Sequence, residues 1–178
     1  GMELGADSVF VVTGAAGSIV SAITADLAEA SGGVFHLLDL VPAPDRASAD
    51  LALYRSDPDA LRMQIFEGLK QTGERATPAV VEREIAGFER ASAALDAIEA
   101  IERAGGTAHY HSVNLLDGDA MAEVMESITD RHDRVDVLLH AGGLEISRLL
   151  PDKDRAEYDL VFDVKADGWF NLLKGLGD

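Results

Sequence analysis

The chain has 178 residues and contains no cysteine. This absence excludes disulfides, thiolate zinc sites and a cysteine nucleophile, and it favours a reducing compartment, so we expect a cytoplasmic protein. Long apolar runs are also lacking. The longest uncharged stretch, 8–25, is interrupted by glycine and hydroxyl residues, whereas a membrane-spanning helix needs about 20 apolar residues. The first residues lack the pattern of a secretory signal.

Basic residues are scarce. Fifteen lysines and arginines stand against 32 acidic residues, which gives a net charge of −17. Such a surface repels phosphate backbones and anionic lipids, so we expect neither a nucleic acid nor a membrane as a partner. An anionic cofactor can still bind locally, because the free amide groups at a helix N-terminus attract phosphate.

Apolar runs alternate with segments of helical periodicity along the chain. The strands are predicted at 8–12, 34–40, 107–113 and 135–140, and the helices at 18–30, 58–73, 77–104, 117–131 and 154–173. This alternation predicts an α/β fold, a Rossmann-like doubly wound parallel sheet with right-handed crossovers. We expect one domain over 3–178. Within it, 43–90 forms a helical insertion after the second strand, and the polar stretch 41–56 is predicted to be a loop.

The glycine-containing segment 13–20 follows the first predicted strand and opens the first helix. Gly14 permits a tight turn, and Gly17 lets the backbone approach a pyrophosphate at the helix start. A plain structural turn is the alternative. Val20 stands where a third glycine is expected. The candidate cofactor-binding residues of this turn are Thr13, Gly14, Ala16, Gly17, Ser18 and Ile19.

Asp39 and Leu40 end the second strand, where an acidic side chain can bind the adenosine ribose. A carboxylate there repels a 2′-phosphate, which favours NAD over NADP. Two alternatives remain open: Asp39 is only a solvated strand-end residue, or Arg46 in the next loop binds a 2′-phosphate.

The ends of the third and fourth strands supply the remaining cofactor candidates. Asn114 and Leu115 follow the third strand, where the Asn amide can bind the adenine edge; a turn-forming Asn is the alternative. His140, Ala141 and Gly142 end the fourth strand, where small residues leave room for the nicotinamide ribose. His140 itself is better explained as a packed or backbone-bonded side chain than as a catalytic one.

His109 and His111 lie on one face of the third strand, an arrangement that can hold a metal. No carboxylate and no third histidine joins them in the sequence pattern, so we expect no metal site.

Four segments together resemble the short-chain dehydrogenase/reductase family, and more closely the ketoreductase domains of multidomain polyketide and polyunsaturated-fatty-acid synthases. They are VVTGAAGSI at 11–19, NLLD at 114–117, DVLLHAGG at 136–143 and FDVKADGWFNLL at 162–173. The resemblance implies an NAD(P)H-dependent β-ketoacyl reductase that acts on a thioester held by an acyl carrier, with neighbouring synthase domains as partners.

The resemblance also implies one catalytic residue, Lys165, which acts in a proton relay and on the cofactor ribose. A surface lysine is the alternative. Synthase ketoreductases usually carry an arginine after the second strand and use NADPH, whereas Asp39 and Leu40 stand at that corner here. The cofactor is therefore NAD(P)H, with the family indicating NADP and Asp39 indicating NAD.

The family's catalytic serine and tyrosine are expected beyond Asp178. Tyr110 and Asn114 have a Y-x-x-x-N spacing, but they precede Lys165 and lie on a strand, so the match is interpreted as coincidence. We expect an incomplete and inactive polypeptide whose fourth strand has an unpaired edge, which favours a homodimer. The alternatives are an inactive Rossmann scaffold or binding module, and a short-chain dehydrogenase that acts on a free small molecule.

Overall fold

The computed structural model describes residues 3–73 and 75–176; the predicted domain end at Asp178 lies outside them. The strands are β1 (Val9–Thr13), β2 (Val34–Asp39), β3 (Thr107–Ser112) and β4 (Val137–His140). They form one parallel sheet in the order β3-β2-β1-β4. The alternating elements and the parallel sheet confirm the predicted Rossmann-like α/β class.

Six α-helices lie in the described ranges: α1 (Ser18–Ser31), α2 (Ala49–Ser56), α3 (Pro58–Gln71), α4 (Pro78–Arg103), α5 (Gly118–His132) and α6 (Arg155–Leu176). A 3₁₀ turn, Leu150–Asp152, precedes α6. None of the helices within these ranges combines the length and the apolar character that crossing a membrane requires.

The sheet has a core on each face because successive strand residues point to opposite sides. Phe10 and Phe35 stack with ring centroids 4.3 Å apart under α1 and α4. Val11 and Leu38 point the other way, toward α5 and α6. Every residue of β1 is buried, which explains why that strand is an apolar run without polar alternation.

The buried face of α1 differs from the one that its large apolar residues indicate. Ile19 and Ile23 have helical spacing, yet they are exposed, whereas Val20, Thr24 and Ala28 are buried. These smaller side chains, spaced four residues apart, form the face that packs against the sheet and α4.

The segment after β2 contains more helix than predicted. Its beginning, 41–56, is not only a loop, because α2 forms there with the Ser48 hydroxyl accepting a hydrogen bond from the Leu51 amide. The prediction of a plain loop is wrong since this short helix buries only one residue, Leu51, too few for a clear apolar period. Together α2, α3 and the first half of α4 enclose a small separate core around Leu61, Val81 and Ile85.

The apolar residues of α6 are less buried than their period suggests. Tyr158, Phe162 and Trp169 are exposed, and among the described residues of this helix Gly168 and Leu172 are the buried ones. The part of α6 from Val164 onward therefore packs into the core that it shares with α5.

Candidate functional site

The turn after β1 is enclosed by the neighbouring strands. Gly14 has φ 72°, a conformation that favours glycine. Its amide donates to the Leu38 carbonyl of β2 over 2.9 Å. A Cβ atom at Gly14 would lie 2.8 Å from the Ala141 carbonyl oxygen, so a side chain cannot fit. The backbone here passes directly over the ends of β2 and β4.

This turn places the N-terminus of α1 at the carboxyl end of the sheet. Gly17 is the N-cap and offers no side-chain acceptor, and the first turn of the helix contains no acidic residue. The first amide groups of a helix have no acceptor within the helix, and the helix dipole gives this end a partial positive charge. The surroundings of Ser18 and Ile19 can therefore accept an anion.

Asp39 holds the turn through both carboxylate oxygens. Oδ2 accepts a hydrogen bond from the Ala16 amide at 2.9 Å, and Oδ1 accepts one from the Val41 amide at 3.0 Å. Asp39 is thus more than a solvated strand-end residue. Each carboxylate oxygen can accept a further hydrogen bond, so the ribose contact stays a prediction.

Thr13 and His140 join β1, β4 and α6 through a closed hydrogen-bond network. The Thr13 hydroxyl accepts from the Ala141 and Gly142 amides at 3.1 and 3.0 Å. Its own hydrogen is directed to His140 Nδ1, 2.9 Å away, and Nε2–H donates to the Lys165 carbonyl at 3.1 Å. Burial lowers the pKa of His140, which keeps the ring neutral as this network requires.

Side chains approach the backbone closely at Gly142 and Gly143, beside this network. A Cβ atom at Gly142 would lie 2.5 Å from Leu115 Cδ1, and one at Gly143 would lie 2.8 Å from Lys165 Nζ. The exposed Lys165 ammonium group therefore lies against the backbone of Gly143, near the beginning of the loop that follows β4.

These features surround one cavity of about 1100 Å³. It is lined by eleven of the predicted cofactor residues, namely Gly14, Ala16, Gly17, Ser18, Ile19, Asp39, Leu40, Asn114, Leu115, Ala141 and Gly142. Thr13 contacts this lining through its hydrogen bonds with the Ala141 and Gly142 amides, and His140 is hydrogen-bonded to Thr13. The structure thus brings the candidates together, and their contact with a cofactor stays a prediction.

Two candidate side chains have other partners. Asn114 Oδ1 accepts from the Leu116 amide at 3.1 Å, which is the turn-forming geometry considered above. Arg46 pairs with Glu102 of α4 at 2.6 Å and does not line the cavity.

The inserted helices add a wall that sequence reasoning missed. The first half of α4 lines the cavity with Glu84, Phe88, Glu89 and Arg90. Helical periodicity indicates that this segment is amphipathic. The periodicity does not predict which end of the sheet the inserted helices approach.

None of the three tyrosines, all within the described ranges, lines the cavity. The Tyr110 hydroxyl donates to the Val41 carbonyl at 3.0 Å, and burial, with the Asp39 charge as a smaller cause, raises its pKa. Tyr54 stacks on Phe88, and Tyr158 stacks on Phe162. Tyr110 therefore has a structural partner, in agreement with a coincidental spacing to Asn114.

A second polar cluster lies away from this cavity. His36 and His132 approach His109 and His111, so the expectation that no third histidine joins the pair on β3 is wrong. The strand register that aligns His36 with His109 cannot be read from the spacing of residues within one strand.

Comparisons with known proteins extend these observations. The family described as short chain dehydrogenase matches residues 79–177. One subunit of a polyunsaturated fatty acid synthase of Thraustochytrium sp. is 28% identical in an alignment of 178 positions, which covers 96% of this chain and 6% of that protein. The 3-oxoacyl-(acyl-carrier-protein) reductase FabG of Thermotoga maritima is 29% identical over 69 residues, which are 39% of this chain and 28% of that protein. The matches thus span only a small part of each relative.

Solved structures share the fold. A ketoreductase domain from the bacillaene assembly line superposes with a TM-score of 0.64 at 17% identity, covering 100% of this chain and 32% of that one. A short chain dehydrogenase from Mycobacterium paratuberculosis bound to NAD gives 0.62 at 15% identity, with coverages of 98% and 50%. A dehydrogenase from Burkholderia cenocepacia with bound NADP gives 0.60 at 17% identity, with coverages of 98% and 48%.

Proposed function

Because the chain belongs to the short chain dehydrogenase family, we propose that it is the cofactor-binding part of an NAD(P)H-dependent β-ketoacyl reductase. One observation carries this proposal: the glycine turn, Asp39, the Ala141–Gly142 pair and the surroundings of Lys165 meet at one cavity at the carboxyl ends of parallel strands. In open α/β sheets ligands bind in this position. The fatty-acid synthase relative and the 3-oxoacyl reductase relative support the choice of reaction.

The residues present fit a nicotinamide dinucleotide. Gly14 leaves no room for a side chain beneath the turn, and the start of α1 offers amide groups without a nearby acidic residue. The pyrophosphate would be held at Ser18 and Ile19, the adenosine between Asp39 and α4, and the nicotinamide ribose beside Gly142. Neighbouring folds that hold NAD or NADP support this cofactor class.

When bound, the reduced nicotinamide supplies the hydride for reducing a carbonyl group. In this chain Lys165 contributes a positive charge beside Gly143, where it can bind ribose hydroxyls and lower the pKa of a nearby acid by favouring its anion. The neutral His140 ring fixes the backbone of that segment through Thr13. None of the three tyrosines, all in the described part of the chain, lines the cavity, so none of them is proposed as the group that protonates the reduced carbonyl.

The charges around the adenosine region favour NADH over NADPH. Four acidic residues line the cavity, namely Asp39, Asp45, Glu84 and Glu89, and Arg90 is the basic residue among the lining residues that the structure describes. Four carboxylates oppose a ribose 2′-phosphate more strongly than one guanidinium attracts it. We therefore expect tighter binding of NADH.

The proposed substrate is a β-ketoacyl thioester on an acyl carrier, delivered by neighbouring synthase domains. The partial coverage of the synthase relative supports a multidomain setting. The fourth strand, at one edge of the sheet, is proposed to be covered by a second copy of the chain or by further parts of the same protein.

Cofactor binding is tested by titrating the chain with NADH and NADPH and measuring energy transfer from its single tryptophan. Trp169 is suitable because its ring centroid lies 5.8 Å from that of His140. We expect saturable binding. Ser18→Glu should weaken it by about tenfold or more, because a carboxylate at the start of α1 repels the pyrophosphate while remaining favourable for the helix.

Ala79→Glu is the matched control, since it places the same charge on an exposed first-turn position of α4. It should leave NADH affinity unchanged. If neither cofactor binds, or if both variants weaken binding equally, the proposal fails and a scaffold without a cofactor is favoured.

A further inference from the structure

Four of the five histidines of this chain converge at one place. His36 of β2 lies opposite His109 of β3 in the strand register. His111 points to the same face of β3, because it lies two residues further along the strand. His132 is the last residue of α5, the helix that covers this face. The cluster therefore joins two strands and one helix that are far apart in sequence.

The ring nitrogens lie close enough to share one ion. His36 Nε2 and His132 Nε2 are 3.0 Å apart. His36, His109 and His132 each offer one ring nitrogen that could ligate a metal, and these three nitrogens lie within 4.8 Å of one another. Two imidazole nitrogens bound tetrahedrally to the same zinc ion are separated by about 3.3 Å. Small side-chain rotations would thus bring all three nitrogens to bonding distance.

The fourth histidine occupies the position of an outer-sphere partner. His111 Nε2 lies 2.9 Å from His36 Nδ1. When His36 binds a metal through Nε2, its Nδ1–H can donate to His111, and histidine ligands in metal sites almost always make such a second hydrogen bond. The bond fixes the tautomer and the orientation of the most buried ring, since His36 is 2% exposed.

We propose that His36, His109 and His132 bind one divalent transition-metal ion, preferentially Zn²⁺, with His111 orienting His36. Three neutral imidazoles without a thiolate suit Zn²⁺ and also Ni²⁺ or Cu²⁺. His109 and His132 are half-buried, which leaves a path for the ion and for a water molecule as fourth ligand. None of the four histidines lines the cofactor cavity. The ion therefore links β2, β3 and α5 and does not act in the reaction.

The protonation state and the net charge favour this site. Burial, together with the neighbouring histidines and Arg131, lowers the pKa of His36 to about 3, and the pKa values of His109 and His111 are also lowered. The ring nitrogens of His36 and His109 thus keep a lone pair free near neutral pH. The charge of −17 further attracts cations.

Arg131 competes with the ion for His109. Its Nη1 lies 3.4 Å from His109 Nε2, and its charge opposes a nearby cation. The side chain is exposed, so it can turn into solvent when the metal binds. Removing its charge should therefore strengthen metal binding, an effect opposite to that of removing a ligand.

The experiment uses the 178-residue chain without a histidine tag, from which a chelator has removed bound metal. The protein is titrated with Zn²⁺ in the presence of a chromophoric chelator that competes for the ion. The pH is about 7.5, above the ordinary histidine pKa. We expect one saturable site, an increase in the melting temperature with Zn²⁺, and visible absorption typical of four-coordinate cobalt when Co²⁺ is used instead. His109→Gln and His132→Gln, at half-buried positions that tolerate substitution better than His36, should each weaken affinity by about tenfold or more. Arg131→Gln should strengthen it severalfold.

His140→Gln removes the one histidine outside the cluster and should leave Zn²⁺ affinity unchanged. Several weak sites without saturation, or equal affinity in the ligand variants and in His140→Gln, would overturn the proposal. So would a Zn²⁺-induced rise in melting temperature that persists in His109→Gln and His132→Gln.

Discussion

At the scale of single residues, the polar side chains around the cavity act mainly on one another. Asp39 holds two backbone amides, and Thr13 holds two more while donating to His140. Buried polar groups with complete hydrogen bonding give a rigid site, because each lost partner leaves a costly unpaired group. The positions that we assign to cofactor binding are therefore preorganised by the apoprotein.

His140 makes the stability of this network depend on pH. Its pKa is lowered, chiefly by burial, so below about pH 6.5 the unfolded chain binds a proton that the folded chain does not. The sign follows from proton linkage. The contribution of His140 to the free energy of unfolding is constant above about pH 6.5, and it falls on acidification by at most about 1.4 kcal/mol per pH unit. Protonation removes the Nδ1 lone pair that accepts the Thr13 hydrogen bond.

Denaturant unfolding of wild type and His140→Gln between about pH 5 and about pH 7.5 measures this effect. The wild type should be the more stable protein at the upper end of this range, and the difference in unfolding free energy should shrink toward the lower end. All other titrating groups are common to both proteins and cancel in the difference. A difference that stays constant over this range would contradict the role of a neutral His140.

At the scale of elements, the inserted helices have their own small core, separate from the sheet. Leu61 is fully buried at its centre, and Arg55 of α2 links this unit to α4 through exposed pairs with Asp96 and Glu99. Exposed ion pairs add at most about 1 kcal/mol. The position of α2 and α3 therefore depends mainly on the apolar contacts around Leu61.

Leu61→Ala should destabilise the insertion by about 2–5 kcal/mol, because it removes a fully buried side chain. Met63→Ala, at a position 70% exposed on the same helix, should change stability by less than about 0.5 kcal/mol. Native-state hydrogen exchange locates the effect. Amides of α2 and α3 should exchange faster in Leu61→Ala, while those of β1 and β2 stay protected. Equal loss of protection everywhere would show that the insertion is not a separate cooperative unit.

At the scale of the whole molecule, exposed apolar side chains are concentrated in the segment 144–173, which follows β4 in the chain. Leu149, Leu150 of the 3₁₀ turn, and Phe162 and Phe170 on α6 are each more than half exposed, and β4 lies at one edge of the sheet. An edge strand and exposed apolar side chains both favour association. The net charge of −17 opposes it, so association should increase with salt.

Sedimentation velocity over a range of protein and salt concentrations tests this expectation. We expect a concentration-dependent dimer that becomes more populated with salt, and Phe162→Glu should weaken it by about tenfold. Met63→Glu adds the same charge to an exposed apolar position of the insertion and should leave association unchanged. A monomer under all conditions would show that this surface is not used by a second copy of the chain.

The features that could be predicted from the sequence depend on interactions between residues close together in the chain. The strand β1, the turn at Gly14 and the start of α1 follow from an apolar run, a glycine in a left-handed conformation and a change of period, all close together in the chain. The same holds for the family resemblance, which the match over residues 79–177 confirms, because it depends on short contiguous motifs. Proximity of these motifs in space then follows from the parallel sheet itself.

By itself the sequence determined the four strands, five of the six helices, the Rossmann-like class and the edge of the sheet at which the candidate site lies. Only the tertiary structure decided that α2 forms, that α4 lines the cavity and that Arg46 forms an ion pair with Glu102. It also brought His36 to His109 and His132. The reason is that these arrangements depend on strand register and on the face by which each helix packs, which are set by contacts between residues distant in sequence.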